Sequence, residues 1–449
     1  MSQQRLNKGS LPMFKLTLPL AMEQFFRILV SSIDTMMLSG YSEKAVAGVG
    51  LMGQYVFFLN LLFSVIGTGT SIVLAQYIGA QKSDKELNYI AQASSVMATI
   101  ISLVLTALVI FGTGPLLSCY ELEPEVRQFA WEYFIIYGGI ACFFTAFSQL
   151  QSAILRSYGY TKETMYVSIV ANILNVLGNA IALYGLFGLP VLGVKGVAAS
   201  SAFSMIASFV LFAIIIKRKK DVMFDLKGIK NVPRNFYRII LSVGVPTAGE
   251  SLSYNMSQIV IMAMISSLGT YVMSAQVYTQ TIVRFVFIIT MAIGNAVQIK
   301  AGYYVGAKEY DTAYHKIFKY SAVATSCSVF FILLTNLIKT PIISLFTHQP
   351  EVASIVATLL VGSIYIEFGR SLNLIYIGAL KGSGDVKFPV VYGIISMWSI
   401  IVLFGWFLGI KLGIGIMGFW LAIGTEETSR GITMFFRWKS RKWEKSSLV

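Results

Sequence analysis

PLAMEQFFRILVSSIDTMMLSG, Pro19 to Gly40, is an apolar stretch of membrane-spanning length that carries three charged residues, Glu23, Arg27 and Asp34. At 100° per residue the three fall within about 40° of one another, so a polar stripe runs down one side of an otherwise oily helix. A carboxylate at the centre of a bilayer costs roughly 3 kcal/mol on insertion scales and is tolerated where it faces a bundle interior or a wet cavity. The stripe therefore marks an interior face, and its acids are the first candidates for function.

The chain around this stretch, 449 residues with 56% hydrophobic and only 12% charged side chains, lies outside the range of soluble domains. Apolar runs long enough to span recur near 12–39, 49–78, 89–113, 129–154, 164–186 and 194–216, and again near 238–267, 272–299, 318–338, 352–379, 388–410 and 414–436. The expected fold is all-α and polytopic, with twelve transmembrane helices. The net charge of +14 does not call for nucleic acid: of 35 Lys and Arg, 26 lie in the two tails and the even-numbered connections and five in the odd-numbered ones. By the positive-inside rule both termini are expected in the cytoplasm, with the protein in the cell membrane. Cys119, Cys142 and Cys327 show no disulfide or metal-ligand spacing. The first apolar segment is too long and too charged for a cleaved signal, so it is expected to be retained.

Residues 16–80 match 243–307 without a gap, placing Pro19 and Glu23 on Pro246 and Glu250 and QYIGA (76–80) on YYVGA (303–307). Further on, LRSYGYTK from Leu155 matches LKGSGDVK from Leu380, and GVKGV from Gly193 matches GIMGF from Gly415. The chain is a duplication of a six-helix unit, with an expected N-lobe at 1–216, a basic linker at 217–235 and a C-lobe at 236–449. An even number of spans gives both copies the same orientation, so they are related by a pseudo-two-fold axis along the membrane normal, and parallel repeats of this kind place a substrate path at their interface. The linker reads as a solvated hinge held to anionic lipid.

The repeat also serves as an internal control. Glu23 and Glu250 are shared, each four residues after a proline, and are read equally as architecture, a polar group satisfying the freed backbone, or as function. Asp34 faces Ile261 in the copy. Asn172, Asn175 and Asn179, within about 60° on one face of the fifth span, face Met397, Ile400 and Phe404. Asp34, Asn179 and Ser201 lie at matched depth, roughly 10 Å below the outer boundary, with Asn175 one turn deeper. Together they suit a proton or a small hard cation such as sodium; the alternative is a neutral Asp34 in a hydrogen-bond network. In the second half, Glu367 and Arg370 are spaced to pair, with Asn373 beside them; Arg284 stands alone in the eighth span. Glu426, Glu427 and Arg430 read as an interfacial cluster. Just one lobe is expected to hold a titratable pocket. Met36, Met37, Phe57, Phe58, Met256 and Phe287 offer adaptable, π-rich surface for flat amphipathic cations.

The first span together with NILNVLGNAIALYG in the fifth, GVKGVAASSAFS in the sixth and GALKGSGDVKFPV after the tenth resembles the multidrug and toxic compound extrusion (MATE) family over essentially the whole chain. The resemblance implies two six-helix lobes and export of organic cations by alternating access in antiport with H+ or Na+. It also implies that Asp34 is the coupling acid, with Asn175, Asn179 and Ser201 around it. Many members carry Asp where this chain has Asn179, and the branch with its cation site in the second lobe uses acids in spans seven and ten to which Glu250 and Glu367 are not clearly equivalent. Supporting or substrate-path roles fall to Glu23, Arg27, Asn172, Glu250, Arg284, Glu367, Arg370 and Asn373. A lipid-linked oligosaccharide or polysaccharide flippase would instead need a basic cleft, for which Arg27, Arg284 and Arg370 are the candidates. A scaffold or receptor would not need one-sided buried acids. Two histidines, His315 and His348, leave no catalytic dyad, so no enzyme is expected. No cofactor, resident metal or nucleic-acid partner is expected; a monomer in the bilayer, taking small amphipathic substrates, is.

Overall fold

A computed structural model describes residues 11–449; the first ten residues, with their share of the topology signal, lie outside the described residues. Twelve helical rods follow one another. They are α1 (Met13–Tyr41), α2 (Glu43–Gly79), α3 (Asp84–Ser118), α4 (Pro124–Tyr133 continuing to Cys142–Ser157), α5 (Thr161–Tyr184) and α6 (Gly193–Arg218). The second six are α7 (Arg234–Ser266), α8 (Thr270–Gly306), α9 (Tyr310–Leu337), α10 (Pro350–Ser383), α11 (Lys387–Ser396 continuing to Lys411) and α12 (Ile416–Lys439). Nine are long and apolar enough to span singly, and α4, bent by 49°, passes as one span. The other two were expected to be oily and are not. Glu426, Glu427 and Arg430 interrupt α12, while Glu250, Ser251, Ser253 and Asn255 dilute α7. Their ionic side chains point into protein rather than lipid, which is what permits them at membrane depth.

Local chemistry explains several boundaries. Ser83 caps α3, its hydroxyl accepting from Glu86 N while the Glu86 carboxylate accepts from Ser83 N, a reciprocal arrangement that satisfies two otherwise orphaned donors. Pro19 lacks the N–H that would bond the Lys15 carbonyl; Thr161 Oγ1 donates to that carbonyl instead, at 3.1 Å. Glu23 therefore does not serve the freed backbone, as one reading of the sequence had it. Three π-helical stretches, Phe134–Ile140 in α4 and Met397–Phe404 and Phe407–Lys411 in α11, leave no trace in the apolar pattern.

The described chain forms two compact units. One holds the chain up to Leu74 with Lys82–Val245; the other holds Ala75–Gln81 with Pro246–Val449. In the second, Gln76 Nε2 donates to the Gly382 carbonyl at 2.8 Å and Gln76 Oε1 accepts from Leu448 N at 2.8 Å. Trp438 and Trp443 stack there with ring centroids 4.0 Å apart.

The basic linker is not a loose hinge. Gln92 Nε2 donates to the carbonyls of Asp225 and Lys227 at 2.7 and 2.8 Å, Asn88 bonds both N and O of Asp225, and Lys219 pairs with Glu163 at 2.6 Å. Tyr160 donates to Asp221 at 2.6 Å. Burial, and after it that bond, hold the Tyr160 hydroxyl well above the usual phenol range, so it remains a donor. The linker's backbone polar groups need partners, and the polar end of α3 supplies them. Gln92→Leu should take the side-chain donor from the Lys227 carbonyl and leave the Asp225 carbonyl with Asn88 alone, at a cost of about 1–3 kcal/mol, read as faster cleavage of the 217–235 segment in limited proteolysis.

Candidate functional site

Within the first unit, α1, α5 and α6 bring the four one-sided residues together. Asn179 Nδ2 donates to Asp34 Oδ1 at 2.9 Å. The Asn175 amide fits the network with its nitrogen toward Asp34, donating to Oδ2 and Oδ1 at 3.1 and 3.2 Å, while its oxygen accepts from Ser201 Oγ at 3.0 Å. Ser200 Oγ donates to the Asn175 carbonyl at 2.9 Å. Asn175 and Asn179 are buried, whereas Asp34 and Ser201 are half-buried, so the carboxylate is both ringed by donors and reachable. Asn179 Oδ1 is left without a partner among the described residues: an acceptor beside a carboxylate, suited to a proton-bearing water or a cation.

Close packing of α5 on α6 makes this possible. A Cβ on Gly178 would lie 2.2 Å from Ser200 Oγ, so only glycine lets Ser200 and Ser201 reach the Asn175 level. Gly178→Ala is expected to push the helices apart at about 1–3 kcal/mol, lowering thermal stability, and Gly178→Ala with Ser200→Gly to recover most of the loss.

Asn172, expected on the same face, is not part of the network; it lies two turns deeper, with Nδ2 unpartnered among the described residues. Glu23, 3% exposed, is paired with Arg156 at 2.5 Å and more loosely with Arg27 at 3.2 Å. Its copy repeats the arrangement, Glu250 pairing with Lys381 at 2.7 Å. Arg156 and Lys381 occupy matching places in the duplicated LRSYGYTK and LKGSGDVK segments, a pairing missed because both seemed to lie in loops beyond their spans. They sit in the last turns of α4 and α10, where the helix dipole also favours a cation. The shared acids thus belong to a duplicated ion pair.

The second unit departs from expectation. Glu426, Glu427 and Arg430 are 2, 8 and 5% exposed and are not interfacial. Arg430 bonds Glu250 directly and lies 3.6 Å from Glu426, whose Oε1 also accepts from Ser396 Oγ at 2.7 Å. Arg370 joins Glu367 at 2.5 Å, as its spacing predicted, and also Glu427 at 3.1 Å, which accepts from Asn373 Nδ2 at 2.8 Å. The second half therefore holds a titratable cluster of its own, and the expectation that only the first does is wrong. The reason is visible in the repeat: GVKGV onto GIMGF carries Ser204, Met205 and Ser208 onto Glu426, Glu427 and Arg430. The same places touch in both halves, Ser148 donating to the Met205 carbonyl where Asn373 donates to Glu427. Arg284 is exposed on its helix.

Two repeats of six helices, intramembrane acids in both and a polar pocket in the first unit define a membrane transporter. The MatE family model matches residues 19–181 and 246–407, one copy in each half, and the chain belongs to that family, the MATE transporters. It is 37% identical over 431 residues to "Uncharacterized transporter YisQ" of Bacillus subtilis, covering 96% of this chain and 94% of that one. It is 26% identical to "Probable multidrug resistance protein NorM" of Halalkalibacterium halodurans, over 96% of this chain and 94% of the relative. A crystal structure titled as MATE in the bent conformation superposes with a TM-score of 0.89 at 19% identity, covering 100% of this chain and 99% of that one. The fold is accordingly the MATE fold, a multi-pass transporter and not an enzyme.

Proposed function

We propose that this protein is a secondary active exporter of amphipathic organic cations that works in antiport with H+ or Na+, Asp34 being the coupling group. The observation that carries the reading is the Asp34 site: one reachable carboxylate held by Asn175 and Asn179 and linked to Ser201.

As a carboxylate, Asp34 accepts three N–H bonds from two amides. Once protonated or bound to a cation it cannot accept all three, and an amide must turn its oxygen inward. Hydrogen bonds to a charged group contribute about 1.5–3 kcal/mol, and one charge moving down 100 mV supplies about 2.3 kcal/mol. The two are of the same size, so ion arrival is sufficient to change the packing of α1 on α5. Pro19 gives α1 a place to bend. In this reading lobes 1–216 and 236–449, joined by 217–235, rock about the bilayer midplane with both termini in the cytoplasm, in the cell membrane.

For substrates, exposed Met36, Phe57, Phe58 and Met256 supply soft apolar surface. Of the three basic residues a phosphate-handling flippase would need, Arg370 is held between two acids, Glu367 and Glu427, while Arg27 shares the single carboxylate of Glu23 with Arg156. The neutralised Arg370 favours cationic cargo.

Reconstituted protein should extrude a fluorescent lipophilic cation when a pH gradient or a sodium gradient is imposed. Extrusion driven by neither gradient, with the protein folded, overturns the reading; the gradient that works identifies the ion.

A further inference from the structure

The buried cluster of the second unit holds four carboxyl groups, Glu250, Glu367, Glu426 and Glu427, and three basic groups, Arg370, Lys381 and Arg430. All seven side chains are 17% exposed or less, and three of the residues, Glu367, Glu426 and Arg430, are at 5% or below. A bundle interior does not leave one negative charge uncompensated, because an unpaired buried ion costs several kcal/mol and neutralises itself by binding a proton. The cluster is one positive charge short.

Its geometry says where the missing charge belongs. Glu250 has Lys381 at 2.7 Å and Arg430 in direct contact. Glu367 has Arg370 at 2.5 Å and the Ser328 hydroxyl at 3.3 Å. Glu427 has Arg370 at 3.1 Å and Asn373 at 2.8 Å. Glu426 has only Arg430 at 3.6 Å, a guanidinium already engaged by Glu250, and the neutral Ser396 hydroxyl at 2.7 Å. It is the least compensated acid of the four.

We propose that Glu426 is a second proton-binding site, in the second unit, holding on its carboxyl the one positive charge that Arg370, Lys381 and Arg430 leave wanting.

Two further features belong to this site. Asn373, 3% exposed, keeps Oδ1 without a partner among the described residues, on the same amide whose nitrogen bonds Glu427; it is an acceptor waiting for an O–H when the proton moves to that carboxyl. Ser396 is followed immediately by the first π-helical stretch of α11, a local break in helix geometry of the kind found at functional sites. Gly393 makes the room: a Cβ there would lie 2.5 Å from Arg430 Nη2. The groups around Glu426 are then Glu250 and Tyr254 from α7, Ser328 from α9, Glu367, Arg370, Asn373 and Lys381 from α10, Ser396 from α11, and Glu427 and Arg430 on its own helix. In the first unit the matching positions are Ser204, Met205 and Ser208, so this is not a copy of the Asp34 site.

Protonation of Glu426 does not depend on the export reading and is measured without transport. Full-length protein in lipid nanodiscs, in potassium buffer near neutral pH, should show the infrared C=O stretch of a buried protonated carboxyl. The band should be lost in Glu426→Gln, which mimics the protonated acid, and should persist in Asp34→Asn. Ser396→Ala keeps the acid and removes its hydroxyl donor, so it should shift the band; if Glu426→Gln fails to fold, that shift decides alone. No such band in the wild type, a band unchanged in Glu426→Gln or unmoved in Ser396→Ala, one lost in Glu427→Gln instead, or one abolished by sodium overturns the proposal. If export also proves proton-driven, a second titrating group predicts that Glu426→Gln lowers the number of protons exchanged per substrate.

Discussion

Asp34→Asn is expected to reduce gradient-driven export to the level of protein-free vesicles while leaving the protein folded and able to bind its cargo. Asn is nearly isosteric with Asp and keeps one acceptor for Asn179, so the α1–α5 contact survives. What disappears is the group whose charge changes when an ion arrives. A gradient equivalent to 100 mV corresponds to about 2.3 kcal/mol, or about a 50-fold concentration ratio at 1.4 kcal/mol per decade, and the variant should show none of it. If one monovalent cation leaves for each proton entering, no net charge moves, so the assay must impose a chemical gradient rather than a voltage. Asn175→Leu should fall between, since Asn179 still holds the carboxylate but the link to Ser201 is broken. Undiminished ion-driven efflux by correctly inserted Asp34→Asn protein would show that coupling lies elsewhere.

The twelve rods, the duplication and the Asp34 site were legible in the sequence for a common physical reason. Apolar runs, turn residues and a one-sided acid are each local, and helix depth at 1.5 Å per residue turns position along the chain into position across the membrane. Asp34, Asn179 and Ser201 could therefore be matched by counting inward from the helix ends. Rotation about the helix axis is not local, and that is where the reading failed. Glu426, Glu427 and Arg430 read as interfacial because they cluster near the cytoplasmic half of the last helix; whether such a cluster meets water or Glu250 is decided by the neighbouring helices. Arg156 and Lys381 carried a usable signal, both basic at matching places in the repeat and both paired with an acid that is itself repeated. The π-helical stretches had none, since they change hydrogen-bond register without changing composition.

The largest stability effect is expected from Arg430→Met. The guanidinium of Arg430 is 6% exposed, bonds Glu250 and lies 3.6 Å from Glu426. Removing it leaves Glu250 with Lys381 alone and Glu426 with no base near it. Breaking a buried pair by deleting one partner costs about 3–5 kcal/mol, a shift of roughly two to four decades in a folding equilibrium, visible as lost monodisperse protein on extraction and a fall in thermal midpoint. The double variant Glu250→Gln, Arg430→Met should recover a large part, because the ion that suffered most is gone and Lys381, in the last turn of α10, can carry its ammonium toward water on a flexible stem. The first half provides the control. Arg156→Met removes the matching partner of Glu23, but the Arg156 side chain is 24% exposed and Arg27 remains at 3.2 Å, so screening by water and the second base should hold the loss to about 1 kcal/mol. Equal losses from Arg156→Met and Arg430→Met would mean that Arg430, which stands where the first half has Ser208, does no more for its glutamate than Arg156 does as one of two bases on Glu23. The larger loss expected for Arg430 instead ties the second-half pair to the acids beside it, which the first half does not have.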